Sequence, residues 1–114
     1  MKEALALGMI GGGQGAFIGA IHRAAIGIDG RFRLVGGVFS SNADRSRESA
    51  QAIGLRPDQG YGTLSELLDA THEEPLKAIS IVTPNFLHCE QVVAAAAAGL
   101  AIFCEKPLCC SLDE

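Results

Sequence analysis

Residues Met9 to Gly19 read MIGGGQGAFIG, with five glycines in nine positions directly behind the apolar run Ala4 to Ile10. Glycine loses more backbone freedom on folding than any other residue and weakens strands and helices alike. A cluster of this kind marks a place where something must approach the backbone closely. Flexible linkers are rich in serine and polar residues, whereas here Ala4-Leu5-Ala6-Leu7 precedes the glycines and Phe17-Ile18 follows them. The stretch reads as a turn between two packed elements.

Outward from it the pattern alternates. Ala4 to Ile10 suits a buried strand, and Gly15 to Ile26 places Phe17, Ile18, Ile21, Ala24 and Ala25 at helical spacing. Ile28-Asp29-Gly30 breaks the chain, and Phe32 to Phe39 reads as a second strand. Asn42 to Ile53 reads as a helix with Arg45, Arg47 and Glu48 outward and Gly54 just past its end. Thr63-Leu64-Ser65-Glu66 has the form of a capping box and opens a third helix. Ala78 to Val82 is a β-branched strand, Phe86 to Ala98 a helix stopped by Gly99, and Ala101 to Cys104 a last short strand. Strands alternating with helices predict an α/β fold, a parallel sheet with helices on both faces.

Composition narrows the function classes. At 114 residues the chain makes one domain at most. A net charge of −4 lacks the basic footprint of a nucleic-acid binder. The apolar stretch Val92 to Ala98 ends at Gly99, too short to span a bilayer, and Met1-Lys2-Glu3 leads into too few apolar residues for a signal peptide. The expected location is cytoplasmic, with no membrane partner. Cys89, Cys104, Cys109 and Cys110 lack the doubled, closely spaced pairs of a zinc site. They read as small buried hydrophobes in a reducing compartment, and no metal is expected.

In a parallel α/β sheet, the turn from first strand to first helix is where phosphates bind. Glycines allow the sharp turn and close approach, and the helix N-terminus presents free N–H groups and partial positive charge. Gly11-Gly12-Gly13-Gln14-Gly15-Ala16 fits G-x-G-x-x-A between strand and helix. No Gly-Lys-Ser/Thr follows, which excludes a Walker A loop. A purely structural glycine turn is the alternative. The acid that would hold the adenosine ribose should stand at the end of the second strand. Asp29 has roughly the spacing but precedes that strand, and the strand ends in Phe39-Ser40-Ser41-Asn42 without an acid. Absence of a carboxylate removes repulsion against a 2′-phosphate, and Arg45 offers a bidentate partner for one. This favours NADP over NAD; the alternative is that Arg45 and Arg47 form a solvated face beside Glu48.

Two further segments, Thr83-Pro84-Asn85-Phe86-Leu87-His88 and Cys104-Glu105-Lys106-Pro107-Leu108, follow predicted strands. They lie at carboxyl ends, where open α/β sheets bind ligands. With GGGQGA, TPNFLH and EKP in this order, nearly the whole chain resembles the N-terminal, Rossmann-type domain of the Gfo/Idh/MocA oxidoreductases (glucose–fructose oxidoreductase, inositol dehydrogenase and relatives).

The resemblance implies that Gly11, Gly13, Gln14, Gly15 and Ala16 line a pyrophosphate. It implies that Thr83, Pro84, Asn85 and His88 run along the cofactor near its nicotinamide half; the alternative for His88, on the first turn of a helix, is that it caps or packs. Glu105 and Lys106 would face the nicotinamide and its ribose, with Lys106 as the catalytic residue reaching the substrate; the alternative for Lys106 is a surface lysine before a turn. Ser40 and Arg45 match a serine and arginine that hold the 2′-phosphate in some NADP-using relatives, and Ser41 stands beside them. Gly19 and His22 match a family histidine three residues after the last fingerprint glycine. Counted from Gly11, however, the loop is about three residues longer than usual, which leaves open which of Gln14 to Ile18 touches phosphate.

The implied activity is hydride transfer between a nicotinamide and a sugar, polyol or related hydroxy or keto substrate. The implied substrate domain is a second α/β unit after EKP, absent from these residues, and the full-length enzyme would be a homo-oligomer. Ser111-Leu112-Asp113-Glu114 has the form of another capping box. Residues 1–114 are therefore read as a dinucleotide-binding domain truncated at its C-terminal end and inactive alone. The rival reading is a non-catalytic dinucleotide-binding sensor or interaction module; a relative of the same fold that has lost cofactor binding is a third.

Overall fold

The computed structural model describes residues 4–13, 17–28, 30–71, 74–106, 108 and 111–113. Four strands, β1 (Leu5–Ile10), β2 (Phe32–Val38), β3 (Ala78–Ile81) and β4 (Ala101–Cys104), form one sheet in the order β2-β1-β3-β4 with every pairing parallel. Four helices connect or follow them: α1 (Phe17–Gly27), α2 (Ala43–Ala52), α3 (Leu64–Ala70) and α4 (His88–Ala97). The chain moves outward from β1 to β2, then returns to the other side of β1 for β3. That reversal is a topological switch point, and it opens a crevice at the carboxyl end of β1.

The residues explain the layers. Alternation along β1 and β3 sends Ala6, Ile10, Ile79 and Ile81 into one core with Leu67 of α3 and Ala95 of α4. Met9 and Val82 join Phe39 and Ala50 of α2 in a second core, against which Ile26 of α1 packs. Helices thus cover both faces. The β1–β2 register slips between Leu7 and Gly8, leaving Val35 as the extra residue, whose carbonyl accepts a 2.9 Å bond from the Gln59 amide. Gln59 belongs to a 3₁₀ turn, Pro57–Gln59, that the periodicity does not predict. Another such turn, Asn85–Leu87, takes the start expected for α4, because Pro84 and the following residues turn more tightly than an α-helix before His88.

α3 begins where its capping residue predicts, with Thr63 Oγ1 accepting from the Glu66 N–H at 3.1 Å. The reciprocal arm differs: Glu66 Oε2 accepts from the Gly62 N–H, at 3.4 Å, and not from Thr63. Thr63→Ala is expected to cost about 1 kcal/mol of stability, read as a lower midpoint in urea; an unchanged midpoint would mean that this cap contributes nothing.

α1 corrects the sequence reading of its inward face. Ile21 is 48 % exposed, and Ala24 and Ala25 are exposed as well, while Gly19, His22, Arg23 and Ile26 turn toward the sheet. The side chains of Phe17 and Ile18 lie outside what is described. The apolar spacing is helical, but polar residues take the inside positions because each finds a partner there.

Candidate functional site

The crevice at the switch point is a groove of about 790 Å³. Its floor is Gly11 to Gly13, its walls the end of β2 through Ser41 on one side and Thr83-Pro84 on the other. Gly11 and Gly12 have φ of +86° and +74°, the left-handed region that a side chain resists. A Cβ on Gly13 would lie 2.6 Å from the Phe39 carbonyl oxygen, so the loop backbone rests on the end of β2. The loop also leans on the third strand's exit, since a Cβ on Gly11 would stand 2.9 Å from Thr83 Cγ2. α1 begins at Phe17. Gln14, Gly15 and Ala16, the rest of the expected fingerprint, lie outside the described residues.

On the β2 side, Ser40, Ser41 and Arg45 all line the groove, as the sequence expects. Buried Ser46 of α2 shapes this wall: its hydroxyl accepts from the Phe39 N–H at 3.1 Å and lies 3.5 Å from the Gly37 carbonyl. Asn42 caps α2 by accepting from the Arg45 N–H at 3.1 Å. Ser40 Oγ accepts from the Asn42 N–H, also at 3.1 Å, which leaves its own hydroxyl hydrogen for a ligand. Arg47 pairs with Asp44, whereas Arg45 forms no ion pair among the described residues. Glu48, expected on a solvated outer face, lines the groove with Arg45 and Ser49. Helical spacing of three places 45 and 48 on one side of α2.

The carboxyl edge is held level by backbone bonds: Gly11 N–H to Val38 O at 2.8 Å, Val82 N–H to Ile10 O at 2.9 Å and Glu105 N–H to Ile81 O at 2.9 Å. Residues after β2, β1, β3 and β4 therefore stand in one row spanning three strand spacings, about 14 Å. Thr83 and Pro84 line the groove, whereas Asn85, His88, Glu105 and Lys106 do not. His88, which the resemblance places along the cofactor, does not line the groove. It is 1 % exposed, and its Nε2 lies 2.8 Å from the Thr83 carbonyl oxygen. A ring so placed holds the Thr83 turn from inside.

Beyond the groove, Glu105 and Lys106 follow β4. Glu105 Oε1 accepts from the Lys106 N–H at 3.2 Å and Oε2 meets His22 Nε2 at 2.8 Å. The His22 bond, followed by the Lys106 N–H, holds the Glu105 carboxyl below the usual carboxylate range. His22 Nδ1 lies 2.8 Å from Ser80 Oγ, and the next residue of α1, Arg23, donates to the Gly12 carbonyl at 2.9 Å. Burial and the Glu105 charge push the Cys104 thiol up, which disfavours its thiolate. Among the described residues no group of His, Cys, Asp and Glu could hold a metal, and no helix is long and apolar enough to cross a membrane.

The observations fit a dinucleotide. The floor is bare backbone in a conformation only glycine adopts readily, it lies at the switch point, and a helix starts behind it. Comparison with known proteins agrees. Residues 5–114 match the family described as an oxidoreductase family with an NAD-binding Rossmann fold, GFO_IDH_MocA. A crystal structure of an inositol dehydrogenase homologue from Azotobacter vinelandii, complexed with NADH and myo-inositol, superposes with a TM-score of 0.91 at 36 % identity, covering 99 % of this chain and 30 % of that one. Inositol 2-dehydrogenase of Leifsonia xyli is 36 % identical over 104 residues, 91 % of this chain and 28 % of that protein. D-xylose 1-dehydrogenase (NADP(+)) 2 of Haloferax volcanii is 42 % identical over 74 residues, 65 % of this chain and 22 % of that protein. The chain thus spans less than a third of the length of these relatives.

Proposed function

The chain belongs to the GFO_IDH_MocA oxidoreductase family as its NAD-binding Rossmann domain, and from that premise we propose that it is the cofactor half of a dehydrogenase acting on a sugar or polyol. The observation that carries this is the left-handed glycine floor at the switch point, in one row with Thr83-Pro84 and Glu105-Lys106. Gly11 and Gly13 carry the pyrophosphate with Gln14, Gly15 and Ala16, and Thr83, Pro84 and Asn85 flank the nicotinamide half. His88 serves by holding Thr83. A bound nicotinamide supplies the hydride acceptor. As the substrate carbon gives up hydride, its hydroxyl proton passes to a base of the proposed substrate domain, and the ammonium of Lys106 stabilises the developing alkoxide, or polarises the carbonyl in the reverse direction.

A substrate domain beyond residue 114, a cytoplasmic location and homo-oligomeric assembly complete the proposal. Its test is the intact mass of the gene product together with a screen of sugar and polyol oxidation with NADP and NAD. A larger product that oxidises such a substrate supports it. A product that binds neither nucleotide in a folded sample overturns it.

On cofactor choice we propose NADP ahead of NAD. Ser40 keeps a donor hydrogen, Arg45 has no ion pair among the described residues, and no acid ends β2. Glu48 in the same groove supports the second reading, NAD, because a carboxylate can accept from both ribose hydroxyls and repels a 2′-phosphate. Arg45→Ala is expected to weaken NADPH about tenfold, as loss of one exposed charge-assisted contact would, and to leave NADH within about a factor of three. Tighter binding of NADH than NADPH by the unmodified protein would favour the Glu48 reading.

A further inference from the structure

We infer that His22 is a positioning residue for Glu105: it fixes the nicotinamide end of the site from the helix that begins at the phosphate end, an inference that rests on the function proposed above. The ring touches three elements at once. It projects from α1, its Nε2 lies 2.8 Å from Glu105 Oε2 just beyond β4, and its Nδ1 lies 2.8 Å from Ser80 Oγ in the middle of β3. The partners are 58 and 83 residues away in sequence, so local structure does not produce this meeting.

The bonding fixes the roles of the two nitrogens. An ionised carboxylate only accepts, so the His22 nitrogen facing Glu105, Nε2, must carry a hydrogen. Nδ1 faces a hydroxyl, which can donate or accept. Ser80 Oγ donates to a bare Nδ1 and accepts from a protonated one. The hydroxyl rotates to suit the ring, and both bonds stay. Ser80 is 1 % exposed within an otherwise apolar strand, where an unpaired hydroxyl is costly, and His22 satisfies it.

The same carboxylate has its other oxygen committed to the Lys106 N–H. With one oxygen on α1 and the other on the Lys106 peptide, the carboxylate cannot rotate, and the backbone that carries Lys106 is held in turn. Arg23, next to His22, holds the Gly12 carbonyl. One turn of α1 therefore sets both ends of the row.

The test is NADH titration of the full-length protein by fluorescence, with ADP competition reporting the adenosine half separately. His22→Ala is expected to weaken NADH roughly tenfold and ADP by less than about twofold, the loss of one charge-assisted bond at one end only. His22→Gln, whose amide nitrogen reaches the Nε2 position, should restore most of the loss, and His22→Asn, which reaches only Nδ1, should not. Ser80→Ala keeps the ring but frees its orientation, should give an intermediate loss of NADH alone, and serves if His22→Ala does not fold. Parallel losses of NADH and ADP, or a Gln variant no better than Ala, would overturn the positioning role alone. Absence of any NADH or ADP binding by the unmodified protein would overturn the proposed function and this role with it.

Discussion

Lys106→Ala is expected to lower the kcat of the full-length enzyme by about 10²- to 10⁴-fold, the range for removing a group that transfers a proton or stabilises developing charge. Its dinucleotide affinity should stay within about threefold. The separation follows from geometry. Lys106 stands beyond β4, outside the groove formed by the glycine floor and the β2 wall, and its N–H bond to Glu105 is a backbone contact that alanine keeps. What alanine removes is the ammonium, which matters only where a substrate oxygen gains negative charge. Lys106→Arg tests whether charge alone suffices: a planar guanidinium keeps the charge but places it differently, so partial activity is expected. An exposed lysine at a turn with no role in the reaction predicts the opposite. Turnover of Lys106→Ala within tenfold of the unmodified enzyme would remove this residue from the mechanism.

Legibility in the sequence divided along physical lines. β4 is legible residue for residue, and β1, β2, β3 and α2 within one or two residues, because apolar runs and the helix signals at Gly54 and Thr63 are local. The glycine floor was legible for the same reason: the conformational demand falls on the residues themselves. The inward face of α1 was not. Hydrophobic spacing pointed to Ile21, Ala24 and Ala25, yet His22 and Arg23 face inward because Ser80, Glu105 and the Gly12 carbonyl wait there. A histidine whose partners come from two distant strands leaves no periodic trace; its place after Gly19 in the family pattern was the one signal. Glu48 is exposed, as its polar spacing predicts, but that it lines the groove beside Arg45 is not legible, because i, i+3 spacing carries no information on which side of α2 meets the groove. For His88 the sequence leaves a ligand role and a packing role open, and its ring bonds the Thr83 carbonyl inside the fold, a partner that the motif does not reveal.

The same helix offers a paired test of close packing, in which one glycine-to-alanine change destabilises and another stabilises. Alanine favours a helix over glycine by about 1 kcal/mol, so propensity alone predicts that both changes help. At Gly19 the Cβ would lie 2.5 Å from Gly12 Cα and 3.1 Å from the Gly12 carbonyl oxygen. Both are backbone atoms, and Gly12 is itself held at φ +74°, so no side chain can swing aside. Relief requires α1 and the loop to separate, which loosens the Arg23 bond to Gly12 and pulls His22 from Glu105. Gly19→Ala is therefore expected to lose about 2 kcal/mol of stability, overpacking outweighing propensity, and to weaken NADH at least about tenfold, because the phosphate floor moves with the loop. A Cβ at Gly27, the last residue of α1, meets no described atom within 4 Å. Gly27→Ala should gain about 0.5 kcal/mol and leave NADH binding unchanged. Urea midpoints and NADH titrations of the two variants decide the matter. If Gly19→Ala is as stable as Gly27→Ala and binds NADH normally, α1 does not press on the glycine floor, and the coupling between fingerprint and helix fails with it.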